Sequence, residues 1–263
     1  MPYRIDISDP PHNALDLLVE WGALDIEPAG GGLAAILPDA VTPESLAGAL
    51  GRARVTVSAA PARDDDSVWL LRPRVVRIGS LVIAPGETSA PAGALRLIDS
   101  AAFGSGHHPT TALCLETLEE MLAGERVARV LDVGTGSGIL ALAALRIGVP
   151  HATGLDLDPE ALAAAAENAR LNHLENRLQL VAGGPDAVDG NWPLVLANIL
   201  AAPLIEMAPL LVRRIASRGR LILSGIPWSL ESEVRHAYQH LGMRTLGAKT
   251  RAGWTALTAQ ASW

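Results

Sequence analysis

The run "VLDVGTGSGILALAAL", residues 130–145, constrains this chain more than any other stretch. A short apolar segment carries Asp132, and Gly134, Gly136 and Gly138 then lead into a helix-like apolar run. Glycines at a strand-to-helix turn let the backbone bend sharply and approach a ligand closely, with a helix N-terminus behind. The same texture continues from Gly124: "RVLDVG", "GILALAALRIG", "ATGLDLD", "PEALAAAAENARLN", "LQLVAG", "PLVLANIL" and "RLILSGI" alternate strand-like with helix-like patterns. Such alternation implies βαβ units and a parallel sheet with helices on both faces, an α/β fold. Ligands of such sheets bind outside the carboxyl ends of the strands, at the switch point.

The glycine spacing narrows the ligand. A dinucleotide fingerprint needs G-x-G-x-x-G, whereas Ile139 stands where the last glycine belongs. Asp132 is a poor neighbour for a pyrophosphate and a good one for the cationic amino-acid end of S-adenosylmethionine. Further on, Asp156 closes the next strand, where a carboxylate can accept both ribose hydroxyls of an adenosine. Asp158 then reads as a helix cap, with Pro159 in the first turn. Gly183, Gly184 and Asp186 follow the third strand, either as an adenine contact or as an ordinary turn.

Composition bounds the rest. With 263 residues, a formal charge of −7, a pI near 5.5 and 19% charged residues, the chain reads as soluble and globular rather than polyanion-binding, so nucleic-acid contact is at most secondary. Nothing in it approaches the ~20 apolar residues of a membrane span. The N-terminus "MPYRIDISDPP" does not read as a signal peptide, and the expectation is a cytoplasmic monomer without direct membrane contact. The single cysteine, Cys114, excludes an intrachain disulfide and reads as a small core residue. His236 and His240 share a helix face, but Ala237 stands where a zinc-hydrolase helix carries Glu, so no metal site is expected.

Residues 1–62 alternate as β-α-β-β-α-β, the split pattern of a small ferredoxin-like α+β domain. Residues 63–95, opening on Asp64–Asp66 and rich in Pro and Gly, read as a linker with one or two short strands. Residues 96–263 form the α/β domain. It begins close to "AAFGSGHHPTTALCLETL", residues 101–118, where glycines, paired histidines and a Pro-Thr-Thr helix start are crowded together.

"LDVGTGSG" and "GLDLDP" resemble the first two motifs of the class I S-adenosylmethionine-dependent methyltransferases, with their Rossmann-like sheet. "FGSGHHPTTALCLE" and "LANILAAPL" narrow the resemblance to the PrmA family, which methylates the large-subunit ribosomal protein L11. The likeness is close over about residues 98–225. It implies that S-adenosyl-L-methionine is bound, and S-adenosyl-L-homocysteine released, by Thr111, Asp132, Gly134, Gly136, Gly138, Asp156 and Asn198, with Phe103 and Gly104 in the segment that folds over the cofactor. It also implies that residues 1–62 recognise the protein substrate, whose lysine or N-terminal amines receive the methyl groups. By analogy with amine- and amide-methylating enzymes that carry Asn-Pro-Pro-Tyr, Asn198 of "NILA" aims the amine. His108, which matches the family pattern, is the second catalytic candidate, as a proton acceptor or a hydrogen-bonding group. The chain departs from the family in having only Trp69 in the linker and Asp99–Ser100 before the lid. Two alternatives therefore stand: a related protein-lysine methyltransferase with another substrate, and a non-catalytic cofactor-binding interaction module. Trp228 and Trp254 are either channel or core residues.

Overall fold

The computed structural model describes residues 3–11, 14, 17–18, 21, 23, 25–29, 31–37, 41–42, 46, 48, 50–51, 53–59, 75–86, 88–98, 108–251 and 253–263. The chain divides into two compact units, Met1–Arg72 with His107–Pro109, and Pro73–Gly106 with Thr110–Trp263.

In the smaller unit, β1 (Tyr3–Ser8), β2 (Asp25–Ala29), β3 (Gly32–Leu37) and β4 (Arg54–Ala59) form an antiparallel sheet in the order β2-β3-β1-β4. Alternation drives it: Ile5, Ile7, Ala35 and Leu37 face one core with Leu18, Leu46 and Leu50 from the segments between strands. The two helices read from the sequence there lie largely outside the described residues.

The larger unit opens with β5 (Val76–Ile78), β6 (Leu81–Pro85) and β7 (Leu95–Leu97), a small sheet in the stretch read as linker. Ile78, Leu81, Ile83, Leu95 and Leu97 enter the main core, so this part of the chain packs as a layer of the larger unit. After it come α1 (Pro109–Ala123), β8 (Arg129–Val133), α2 (Ile139–Ile147), β9 (His151–Asp156), α3 (Pro159–Leu171), β10 (Leu178–Ala182) and β11 (Trp192–Asn198). The chain ends with α4 (Ala201–Glu206), α5 (Ala208–Arg213), β12 (Ile215–Pro227), α6 (Glu231–Gln239), β13 (Met243–Arg251) and β14 (Trp254–Ala261).

Among the described residues the main sheet has seven strands in the order β10-β9-β8-β11-β12-β14-β13. The first five are mutually parallel, and β14 runs antiparallel to both β12 and β13. Both faces are covered, which is why the strands are apolar throughout rather than alternating. Val130, Leu194, Leu196 and Ile222 pack on the side of α1 and α2, while Leu131, Val133, Val195, Leu221 and Leu223 pack on the side of α4 and α5. The helix α2 sits deep in the first core, with Ile139 to Leu145 all buried. No helix among the described residues is long and apolar enough to cross a membrane.

Candidate functional site

From β8 the sheet grows outward to β9 on one side and to β11 on the other, so its switch point lies between the carboxyl ends of β8 and β11. The glycine turn and Asn198 emerge there.

Positive φ values of 70°, 54° and 81° at Gly134, Gly136 and Gly138 make the turn, and only glycine takes three such steps without strain. Gly134 and Thr135 donate their N–H groups to the Leu155 carbonyl at 2.9 and 2.8 Å, and Gly138 donates to the Thr135 carbonyl at 2.8 Å. The Gly136 N–H donates to Asp156 Oδ2 at 2.8 Å. These four donors are committed inside the protein rather than left open to a phosphate.

Asp132 is 1% exposed. Its Oδ2 accepts from Thr135 Oγ1 at 2.7 Å and from the Ala141 N–H at 3.2 Å, pinning the turn to the start of α2. Its Oδ1 has no partner among the described residues. Burial pushes the carboxyl up to about 6, against the Thr135 and Ala141 hydrogen bonds, which favour its charge. Half-buried Asp156 closes β9, and its Oδ1 accepts from the Asp158 N–H at 3.1 Å. Asp158 caps α3 as expected, accepting from the Glu160 N–H at 2.8 Å.

On the other side of the switch point, Ile199 acts as a wedge. A Cβ on Gly134 would lie 2.3 Å from Ile199 Cγ2, and one on Gly225 would lie 2.1 Å from the Ile199 carbonyl oxygen. The two glycines thus seat the peptide that follows Asn198. Asn198 pairs with Ser224 across β11 and β12, and its Nδ2 donates to Thr111 Oγ1 in the first turn of α1 at 3.4 Å. Its Oδ1 is buried with no partner among the described residues. The structure thereby brings Asn198 and Thr111 together, as it does Asp132, Asp156 and the glycine turn.

Phe103, Gly104 and His107 lie outside the described residues. His108 is grouped with the smaller unit, and burial lowers its imidazole to about 4, so it is neutral at pH 7. Cys114 is buried and its thiol is pushed up to about 12, consistent with a core residue. Gly183 donates to the Asp156 carbonyl at 2.9 Å, and a short 3₁₀ turn follows over Pro185–Ala187. Trp254 is buried beside Leu113 and Ala256, whereas Trp228 is 64% exposed. His236 and His240 are exposed, and no group of three or more potential metal-binding side chains occurs among the described residues.

Sequence reasoning missed Ile199, Gly225 and a buried pair on α3, Asn168 and Asn172. Asparagines four residues apart in the Ala-rich run "LAAAAENARLN" were the available signal, since unpaired polar groups are not tolerated on a buried helix face.

Comparison with known proteins identifies the family. The family described as "Ribosomal protein L11 methyltransferase (PrmA)" matches residues 44–262. A protein of Chromohalobacter salexigens named ribosomal protein L11 methyltransferase is 41% identical over 203 residues, covering 76% of this chain and 67% of its own. The protein of the same name from Methylococcus capsulatus is 38% identical over 256 residues, covering 95% of this chain and 84% of its own. A crystal structure of a ribosomal protein L11 methylase from Lactobacillus delbrueckii subsp. bulgaricus superposes with a TM-score of 0.66 at 30% identity, covering 72% of this chain and all of that one.

Proposed function

Because this chain belongs to the ribosomal protein L11 methyltransferase family, we propose that it transfers methyl groups from S-adenosylmethionine to lysine or N-terminal amines of ribosomal protein L11. The observation that carries the reading is the unpartnered, buried Oδ1 of Asn198 at the switch point, fixed by Thr111 and by the Ile199 wedge.

The residues fit the methyl donor. Asp156 keeps acceptor capacity beyond its bonds from Gly136 and Asp158, and it suits the ribose hydroxyls. Asp132, with one unpartnered oxygen, suits the cationic amino-acid end. Gly134, Gly136 and Gly138 admit the ligand close to the backbone, and Phe103 and Gly104 are assigned to the same site by family resemblance. When bound, the donor supplies a methyl group already activated by its sulfonium charge.

The protein then has to hold a neutral amine in line. Asn198 Oδ1 accepts a hydrogen bond from the amine N–H, which turns the nitrogen lone pair toward the methyl group. A lysine ammonium has a reference pKa of ~10.4, and desolvation lowers it. His108, held near 4, is too weak a base to take that proton, so we assign it a neutral hydrogen-bonding role and send the proton to solvent. The smaller unit is assigned to substrate recognition and the protein to the cytoplasm. Substitutions in the smaller unit are then expected to raise KM for the ribosomal protein and leave cofactor affinity unchanged.

Removing the acceptor tests the mechanism. An Asn198→Ala protein should retain S-adenosylhomocysteine binding and lose about 10²-fold or more in kcat. Unchanged turnover would refute the role.

A further inference from the structure

Asn168 links two stretches that the proposed function treats separately. The side chain is fully buried on α3. Its Oδ1 accepts from the Ile98 N–H at 2.7 Å, and its Nδ2 donates to the Ser137 carbonyl at 2.9 Å. Ile98 immediately follows β7 and leads toward Phe103 and Gly104, while Ser137 is the last residue of the turn before Gly138. One short amide thus bridges the glycine turn and the residue that follows β7. The chemistry is specific to asparagine: aspartate keeps the acceptor and loses the donor, and alanine loses both. A buried partner left unsatisfied is costly, so the bridge holds its two ends in register.

Asn172 provides an internal contrast. One turn further along, its Oδ1 accepts from the Arg96 N–H at 2.9 Å and its Nδ2 donates to the Arg96 carbonyl at 2.6 Å. It also accepts from Arg146 of α2 at 3.1 Å and donates to the Asn168 carbonyl at 2.7 Å, so it joins α3 to β7 and to the far end of α2, with no bond to the glycine turn itself.

We propose that Asn168 is a positioning residue for the methyl-donor site, fixing Ser137 of the glycine turn against the Ile98 amide so that the turn presents to the cofactor in one geometry. The proposal rests on the methyltransferase reading above. Its test is S-adenosylhomocysteine titration calorimetry on the full-length wild type and on Asn168→Ala, Asn168→Asp and Asn172→Ala proteins, each with its Tm. Asn168→Ala and Asn168→Asp should weaken binding about tenfold or more, whereas Asn172→Ala should stay within about twofold of wild type despite a comparable loss of Tm. Wild-type affinity in both Asn168 variants, or equal weakening in Asn172→Ala, would reduce the bridge to a structural clamp and overturn the proposal. Hydrogen exchange in the wild type gives an answer even if the variants fail to fold: the ligand should slow exchange at the Ile98 amide, and unchanged exchange there would overturn it. A wild type that binds no S-adenosylhomocysteine would remove the methyltransferase reading itself, and this proposal with it.

Discussion

Asp132, Asp156 and Asn198, near the carboxyl ends of β8, β9 and β11, differ in the hydrogen-bonding capacity that each has left. Asp156 offers a half-buried carboxylate already aligned by two N–H donors. Hydrogen bonds to charged groups contribute ~1.5–3 kcal/mol, so Asp156→Ala should weaken S-adenosylhomocysteine binding ~10- to 100-fold by calorimetry. Asp132 carries a different signature. Its pKa of about 6 lies above the ordinary 3.8, so the folded protein holds that proton more tightly than the unfolded chain does. The stability that Asp132 contributes is therefore full below pH 3.8 and lost as the pH rises through 6. At ~1.36 kcal/mol per unit the loss is about 3 kcal/mol, and Asp132→Asn should remove the pH dependence. Urea denaturation from pH 4 to pH 7 checks this: the difference between variant and wild type should shift in favour of the variant as pH rises. Asn198 has no charge to titrate, and its effect belongs in kcat.

Among the elements, the connection leaving β11 is the most tightly seated. Ile199 fills the space over Gly134 and lays its carbonyl on Gly225, where φ is +80° and β12 breaks register with β14. A Gly225→Ala protein meets both a backbone overlap and a left-handed conformation, and should lose ~1–3 kcal/mol of stability. Its turnover should fall further than its cofactor affinity, because the displaced Ile199 peptide directly follows Asn198; steady-state kinetics beside calorimetry separates the two. The glycine turn, Asp156 and the Asp158 cap were legible in the sequence because each is defined by residues adjacent in the chain. Gly225, Asn168 and Asn172 were not, because the partners that fix them across the fold, Ile199 for Gly225, Ile98 and Ser137 for Asn168, and Arg96 and Arg146 for Asn172, are distant in the chain and become neighbours only when the sheet forms. The sheet β5-β6-β7 falls mostly in the stretch expected to be a linker with one or two short strands, since strands of three to five residues among prolines and glycines leave too short an alternation to show a sheet.

For the whole molecule, the parallel strand order puts the acceptors of β8, β9 and β11 on one edge of the sheet, which makes separate motifs into one site. The apolar strands announced that sheet, while strand order across the switch point and the reversal of β14 came only from the structure. On the proposed mechanism this chain methylates amines of ribosomal protein L11 through Asn198. The most direct measurement is the intact mass of unmodified L11 after incubation with S-adenosylmethionine and either the wild type or an Asn198→Ala protein shown to bind S-adenosylhomocysteine. The expected result is a gain in whole methyl units with the wild type that is lost or strongly reduced with the variant. No gain with a cofactor-binding wild type would contradict the substrate, and equal gains with both proteins would contradict the mechanism.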